Sequence, residues 1–252
     1  MLKKSIIINA DHMDLNKNEI PKRITPDRLT NAVIAITIED KYSPSYLESQ
    51  LIEAYNRQHP ELILDKLKLN MPPIDGKQRY FYANRLFRVL FQRETIVFNF
   101  VTSYPGWQNY IGWVNDVIGG EHDLVFKKAA LHYISDYKDI AVFSPDVIDG
   151  TITFNHVQNF AGTELQYMCH LHDFDEHQVI LGDAKVRLVN SAIFEGVEGS
   201  TSRIEIKIES VAFNGNKDAL YSILGKLHNH QKALFFSMLN ENFVNSLNPE
   251  YD

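Results

Sequence analysis

The chain has 252 residues and a mass of 29.1 kDa, with 44% hydrophobic and 23% charged residues. These values are typical of a globular protein and exclude a disordered, collagen-like or coiled-coil chain. The single cysteine, Cys169, excludes an intramolecular disulfide framework and every multi-cysteine zinc or iron–sulfur site. The net charge of −7 disfavours nucleic acid as a partner, because phosphate backbones reward clustered Lys and Arg.

The beginning of the chain resembles a signal peptide over only a few residues. Lys3 and Lys4 precede a run of three isoleucines, and Asp11 follows soon after it. No stretch approaches the ~18 apolar residues of a membrane helix. We therefore expect a cytoplasmic protein with an N-terminal arm at 1–23 and one α+β unit at 24–252. This unit is expected to comprise two sub-halves, about 24–120 and 121–252.

The first predicted elements are a strand and a helix. Residues 31–38 are rich in β-branched side chains and predict a strand. Either Ser43 or Ser45 can cap the helix that follows, and Pro44 suits its first position if Ser43 is the cap. Prolines and an Asp-Gly pair in the segment Pro60–Lys77 predict a long loop.

Three strands and a second helix follow this loop. Tyr80–Tyr82 begins the first strand, and alternation predicts a shared face in each of the next two: Arg85, Phe87, Val89 and Phe91 in one, and Ile96, Phe98 and Phe100 in the other. A helix capped by Ser103 is expected to bury Trp107, Ile111, Val114 and Ile118 and to stop at Gly119-Gly120. Residues 126–137 favour a strand, with a helix as the alternative.

The remainder of the chain is rich in strands. We expect them at 151–157, 164–174, 178–189 and 203–213, followed by a long helix with one apolar stripe that Asn240 interrupts. Strands that alternate between apolar and polar residues are typical of antiparallel sheets with one solvated face. The predicted fold is α+β, with antiparallel sheets in two similar strand-rich halves, helices packed on one face and a long C-terminal helix.

No common catalytic motif accompanies these elements. The sequence has neither a Gly-rich phosphate loop nor a G-x-S-x-G or H-E-x-x-H pattern. Cys169 lies in a predicted strand, where apolar neighbours are expected to raise its pKa and make it unreactive. We assign no catalytic residue and predict no cofactor.

Two sets of side chains are candidates for binding. A basic run without intervening acids contains Arg79, Arg85, Arg88 and Arg93; its simplest interpretation is a solvated sheet face or one that packs on the acidic half of the chain, and the alternative is a site for an anionic partner. An aromatic set at the second helix contains Tyr104, Trp107, Tyr110 and Trp113. These side chains either fill the core or form the wall of a ligand pocket.

One cluster suggests metal chemistry. His170 and His172 project to the same face of a predicted strand, and Asp175 or His177 lies just beyond the strand. Such a set suits zinc or a non-haem metal. The same pattern also describes a polar strand face that runs into an acidic turn, which is the more economical interpretation.

Four short stretches in order carry a resemblance to a known family: Asn31–Ile36, Tyr104–Trp107, Leu131–Ser135, and an ending that runs from Leu227-His228 through Phe235-Phe236 and Leu239 to Asn248–Tyr251. The sequence resembles a family of sporadically distributed bacterial proteins of about this length whose function is uncharacterised. One departure is His132-Tyr-Ile-Ser135, where the family tends to have Arg-Tyr-Ile-Asn. The resemblance implies a bacterial accessory-genome protein, encoded beside a mobile-element or defence gene, and no catalytic residues.

These observations favour a noncatalytic binding or regulatory protein that docks on a protein partner, such as an immunity, antitoxin, chaperone-like or defence-associated protein, or that forms a homo-oligomer. The first alternative is a small-ligand-binding protein with an apolar pocket. The second is a metal-dependent hydrolase built on His170 and His172.

Overall fold

The computed structural model describes residues 8–9, 20–25, 28–67, 79–92, 94–120, 123–149, 155–159, 162–173, 179–192 and 201–251. The strands among them are β1 (Ile8–Asn9), β2 (Leu29–Ile38), β3 (Asp65–Leu67), β4 (Arg79–Ala83), β5 (Phe87–Gln92), β6 (Thr95–Phe100), β7 (Phe126–Lys138), β8 (Asn155–Asn159), β9 (Gly162–Asp173), β10 (Val179–Ala192) and β11 (Thr201–Ser210). The helices are α1 (Pro44–Leu47), α2 (Ala54–Gln58), α3 (Trp107–Ile118), α4 (Lys217–Met238) and α5 (Glu241–Ser246). A π-helical segment, Glu48–Glu53, joins α1 to α2.

The chain divides into two compact units. Unit 1 contains residues 1–30, 131–211 and 225–252, and unit 2 contains residues 31–130 and 212–224. Strands β2 and β7 and helix α4 run through both units. The α+β class, the antiparallel sheet and the long helix near the C-terminus are confirmed. The division into an arm and two sub-halves stays a prediction.

The sheet of unit 2 has the strand order β2-β6-β5-β4-β3, with every neighbouring pair antiparallel. Alternate residues of these strands are buried, among them Ile36, Phe98 and Val89. Phe87 lies on the same side of the sheet; its ring stacks on Trp113 of α3 at 5.5 Å and meets the edge of Tyr55 of α2 at 5.8 Å. Both helices therefore cover one face of this sheet.

Several local expectations about unit 2 need correction. β5 begins at Phe87, so Arg85 lies in the preceding turn and does not share the strand face. The Asn84 side chain holds this turn by accepting the backbone N–H of Phe87 at 3.0 Å. Gly106, with φ of 85°, precedes α3 in place of the expected Ser103 cap, because glycine supplies the positive φ. The segment expected to be a loop contains β3, and residues 68–78 lie outside the described part.

Other local expectations agree with the structure at the first helix, at residues 126–138 and along α4, and in part at α3. The Ser43 hydroxyl accepts the N–H of Tyr46 at 3.2 Å, which makes Ser43 the cap and places Pro44 at the first helical position. Residues 126–138 form strand β7, so the helical alternative is wrong. In α3, Val114 and Ile118 are buried as expected, whereas Trp107 and Ile111 are half-buried. The stripe of α4 is buried at Leu220, Leu224, Leu227, Leu234, Phe235 and Met238.

Unit 1 contains the longer strands. β9, β10 and β11 follow one another as an antiparallel sheet, with β8 antiparallel and β1 parallel to the other edge of β9. Ile204, Ile206 and Ile208 of β11 are buried, as the alternation predicts. Asn240 ends the α4 stripe by capping α5, since its side chain accepts the N–H of Asn242 at 2.9 Å.

A tight backbone contact in unit 1 predicts the effect of one substitution. The register of β9 and β10 shifts between Ile180 and Gly182, and a Cβ at Gly182 would overlap the carbonyl oxygen of Glu209. We expect Gly182→Ala to lower the free energy of unfolding by about 2–4 kcal/mol, since backbone must move to relieve this contact. Gly225→Ala is the matched control: a Cβ there meets nothing within 4 Å, so replacing a helical glycine should raise stability by about 0.5–1 kcal/mol. Urea unfolding measures both changes, and equal effects would contradict the argument.

Helix α4 also places a neutral histidine in unit 1. Burial lowers the pKa of His228 to about 4, with a further contribution from the positive charge of Lys232. The His228 Nδ1 atom lies 3.2 Å from the Tyr133 hydroxyl, which can donate to it. His230, two residues on, instead lies with Nδ1 2.9 Å from the carbonyl oxygen of Lys226, so the two histidines do not act together.

This burial predicts a pH dependence of stability. Below the unfolded pKa of 6.5 the unfolded chain takes up a proton that folded His228 binds only near pH 4. The contribution to stability is therefore complete above pH 6.5 and falls with acidification by up to about 1.4 kcal/mol per pH unit. We expect His228→Gln to flatten this slope in urea unfolding measured from pH 7 to pH 4. His230→Gln is the control, and an equal effect of both substitutions would refute the assignment to His228.

A candidate docking face on the sheet of unit 2

The face of the unit 2 sheet opposite Phe87 carries three rows of side chains that run across the strands. Directly paired residues of neighbouring strands project to the same face, so the register defines each row. The central row consists of Leu67, Phe81, Leu90, Val97 and Ala35; the first arginine row consists of Arg79, Gln92, Thr95 and Thr37; and the second arginine row consists of Asp65, Ala83, Arg88, Asn99 and Val33. We call these three rows the docking face.

The central row is apolar throughout and is accessible. Leu67 at the edge of the sheet is 38% exposed, and Phe81, Leu90 and Val97 are half-buried. Large apolar side chains on the opposite face, such as Phe98, have no exposed surface. The docking face therefore retains apolar area that a partner can remove from water.

The arginines of the docking face have no carboxylate partner among the described residues. No ion pair joins Arg79 or Arg88 to a described Asp or Glu, although Asp65 belongs to the same row as Arg88. The Nε atom of Arg79 is buried, and no described residue accepts its hydrogen. A buried donor without an acceptor is costly, but this nitrogen is enclosed by the chain itself, so a partner would contact the rest of the Arg79 guanidinium.

Unit 2 has no net charge, but two arginines and only one carboxylate, that of Asp65, belong to the docking face. The unit has 12 basic and 12 acidic residues. Glu48 belongs to the helical layer, where it pairs with Lys66 at 2.9 Å, and Glu53 is exposed on the same helical segment. Positive charge thus predominates on the described docking face.

The sequence-predicted basic run is only partly brought together. Arg79 and Arg88 lie on the docking face, whereas Arg85 is exposed in the turn before β5. Arg93 lies outside the described residues. The pattern of arginines without acids indicated this surface, but the apolar central row between them follows from strand register, which the sequence pattern did not provide.

The aromatic set at α3 is part of the packing of unit 2. Tyr110 is fully buried, and its hydroxyl lies 2.9 Å from the carbonyl oxygen of Ala32 and 2.8 Å from that of Phe98, a position between β2 and β6. Trp113 stacks on Phe87. Tyr104 and Trp107 are half-buried. A ligand pocket at these four residues stays a prediction.

A cavity of about 840 Å³ lies elsewhere in unit 2. Its lining includes Tyr46, Gln50 of the π-helical segment, and Lys217 at the start of α4. Tyr46 is 38% exposed. Tyr46 stacks on Tyr42 with ring centroids 5.6 Å apart. The Lys217 ammonium donates to the carbonyl oxygen of Gly119 at 2.9 Å. No local sequence pattern indicates this cavity, because its walls come from segments far apart in the chain.

The predicted metal cluster is only partly described. His170 lies directly opposite Asp183, and their Nδ1 and Oδ1 atoms are 2.5 Å apart. His172 belongs to β9, and Asp175 and His177 lie outside the described residues. Within the described part of the chain, no three His, Cys, Asp or Glu side chains are grouped to hold a metal ion. Cys169 faces the opposite side of β9, and burial raises the pKa of its thiol to about 12, as expected for an unreactive cysteine.

Unit 1 contains a network of ion pairs that the sequence analysis did not identify. Arg203 of β11 binds Asp136 of β7 through two contacts of 2.6 and 3.0 Å, and Arg187 of β10 contacts both oxygens of Glu205 at 3.1 and 3.2 Å. His132 lies 3.7 Å from Glu205. The network pairs strands and is a structural feature.

Comparison with known proteins gives no identity: no protein-family model matches the sequence, and no curated protein matches it. None of the helices among the described residues has the length and apolar character needed to cross a membrane.

Proposed function

We propose that this chain is a noncatalytic binding or regulatory protein of the cytoplasm and that it docks on a protein partner through the docking face. The observation that carries the proposal is the apolar central row, bordered by Arg79 and Arg88, neither of which has a carboxylate partner among the described residues. The accessory-genome setting implied by the family resemblance suits an immunity, antitoxin, chaperone-like or defence-associated protein.

The chemistry of the docking face matches that of protein interfaces. Arginine and aromatic side chains are enriched at the centre of such interfaces, where apolar contact supplies affinity. Unpaired arginine on the rim attracts carboxylates and fixes the orientation of the partner. The proposed partner is therefore an acidic protein.

The proposal predicts position-specific crosslinking. We expect a photo-crosslinking amino acid at Leu67 to form a discrete protein adduct in the native cells, whereas the same amino acid at Val211 in unit 1 forms none. These positions are matched in exposure, at 38% and 42%. Gel mobility and mass spectrometry detect the adduct.

Charge reversal provides the specificity control. The double substitution Arg79→Glu and Arg88→Glu should remove the Leu67 adduct, because like charges then face each other. Arg57→Glu, at an exposed arginine of α2, should leave the adduct intact. Absence of an adduct at Leu67, or an adduct that persists after double reversal, would refute the proposal.

A second candidate function, small-ligand binding, is favoured by the cavity of about 840 Å³. We expect AMP or lauric acid at 100 times its Kd to stabilise the fold by about 2.7 kcal/mol, seen as a rise in Tm. Tyr46→Ala should abolish this rise, and Tyr251→Ala, which removes a tyrosine of similar exposure, should not. If neither compound shifts the Tm, the cavity is not a site for these two ligand classes.

A further inference from the structure

We infer that the docking face binds an amphipathic helix whose apolar side is bordered on both edges by carboxylates. This inference rests on the proposed function and specifies the partner. It follows from three properties of the docking face: the direction of the central row, the spacing of the two arginines, and the absence of a described carboxylate partner for Arg79.

The direction of the central row favours an occupant that lies across the strands. The row contains one residue from each of five adjacent strands, from Leu67 to Ala35. With strands about 4.8 Å apart, the row is about 19 Å long. An α-helix covers this length with about 13 residues. An extended segment aligned with the strands would cover the row at only one or two of its five members.

The width of the docking face matches a helix as well. Arg88 lies directly opposite Ala83, and Arg79 is four residues before Ala83 in β4. The two arginines are therefore about 13 Å apart along the strand direction, on either side of the central row. A helix with its side chains is about 10–12 Å wide, so acidic residues on its two edges reach one arginine each.

The state of Arg79 favours a carboxylate as the contacting group. Arg79 is half-buried, and no ion pair joins it to a described Asp or Glu. The two terminal nitrogens of a guanidinium can form a two-pronged pair with a carboxylate. A lysine cannot supply this geometry, which makes the Arg79→Lys substitution informative.

A pair of synthetic peptides tests the inference on the full chain. Both are helical peptides of about 14 residues with the same leucine stripe, one bordered by glutamates and the other by lysines. Fluorescence anisotropy measures the Kd of each labelled peptide. We expect the glutamate peptide to bind at least about tenfold more tightly, with a preference that high salt reduces.

Substitutions in the full chain locate the binding. Arg79→Glu with Arg88→Glu should reverse the preference, Arg79→Lys should weaken it, and Arg57→Glu should leave it unchanged. Equal binding of the two peptides, or a preference that survives double reversal, overturns the inference. Unchanged thermal unfolding of each variant shows that the fold is intact.

The outcomes separate this inference from the proposed function. An adduct at Leu67 without discrimination between the peptides overturns the helix assignment and leaves protein docking intact. Absence of any adduct at Leu67 contradicts docking itself. If light scattering detects a dimer that Arg88→Glu dissociates, the occupant is a second copy of this chain, whose unit 1 is acidic, and the assignment to a separate partner is wrong.

Discussion

Phe87 is the residue on which the organisation of unit 2 depends, because one aromatic ring receives both Tyr55 of α2 and Trp113 of α3. This double contact fixes which alternate residues of β5 face the helices. Side chains of a strand alternate between faces, so a slip of one residue would place Arg88 in the core and Phe87 in solvent. Burial of an unpaired guanidinium is costly enough to exclude that register.

The burial of Phe87 against the helices also determines which side chains form the docking face. Because the side chains of Phe87, Val89 and Phe91 face the helices, those of Arg88 and Leu90 must face the opposite side of the sheet. Each of the five strands contributes two or three residues to the docking face, and the antiparallel register aligns them into rows. The Nε atom of Arg79 is buried without an acceptor among the described residues, and such a donor lowers stability by about 1–3 kcal/mol.

The charged side chains on the sheet of unit 1 are arranged differently from those on the docking face. Lys185 lies directly opposite Lys207 in the register of β10 and β11, an arrangement that is unfavourable by itself. Lys207 is compensated by Glu209 on its own strand at 2.5 Å. Arg203 and Arg187 likewise have carboxylate partners. In the described part of the sheet of unit 1 these strand arginines are neutralised, whereas no described carboxylate pairs with Arg79 or Arg88.

The sequence by itself determined the α+β class, the strands with strict alternation such as β11, and the apolar stripe and end of α4, because these depend on local periodicity and capping. It also indicated the basic run. Only the tertiary structure decided that Arg85 leaves the strand, that Gly106 replaces Ser103 at α3, and that Leu67, Leu90 and Ala35 form one row. Row membership depends on the register between strands, including the pairing of β2 with β6, which lie far apart in sequence, and no local pattern contains that pairing.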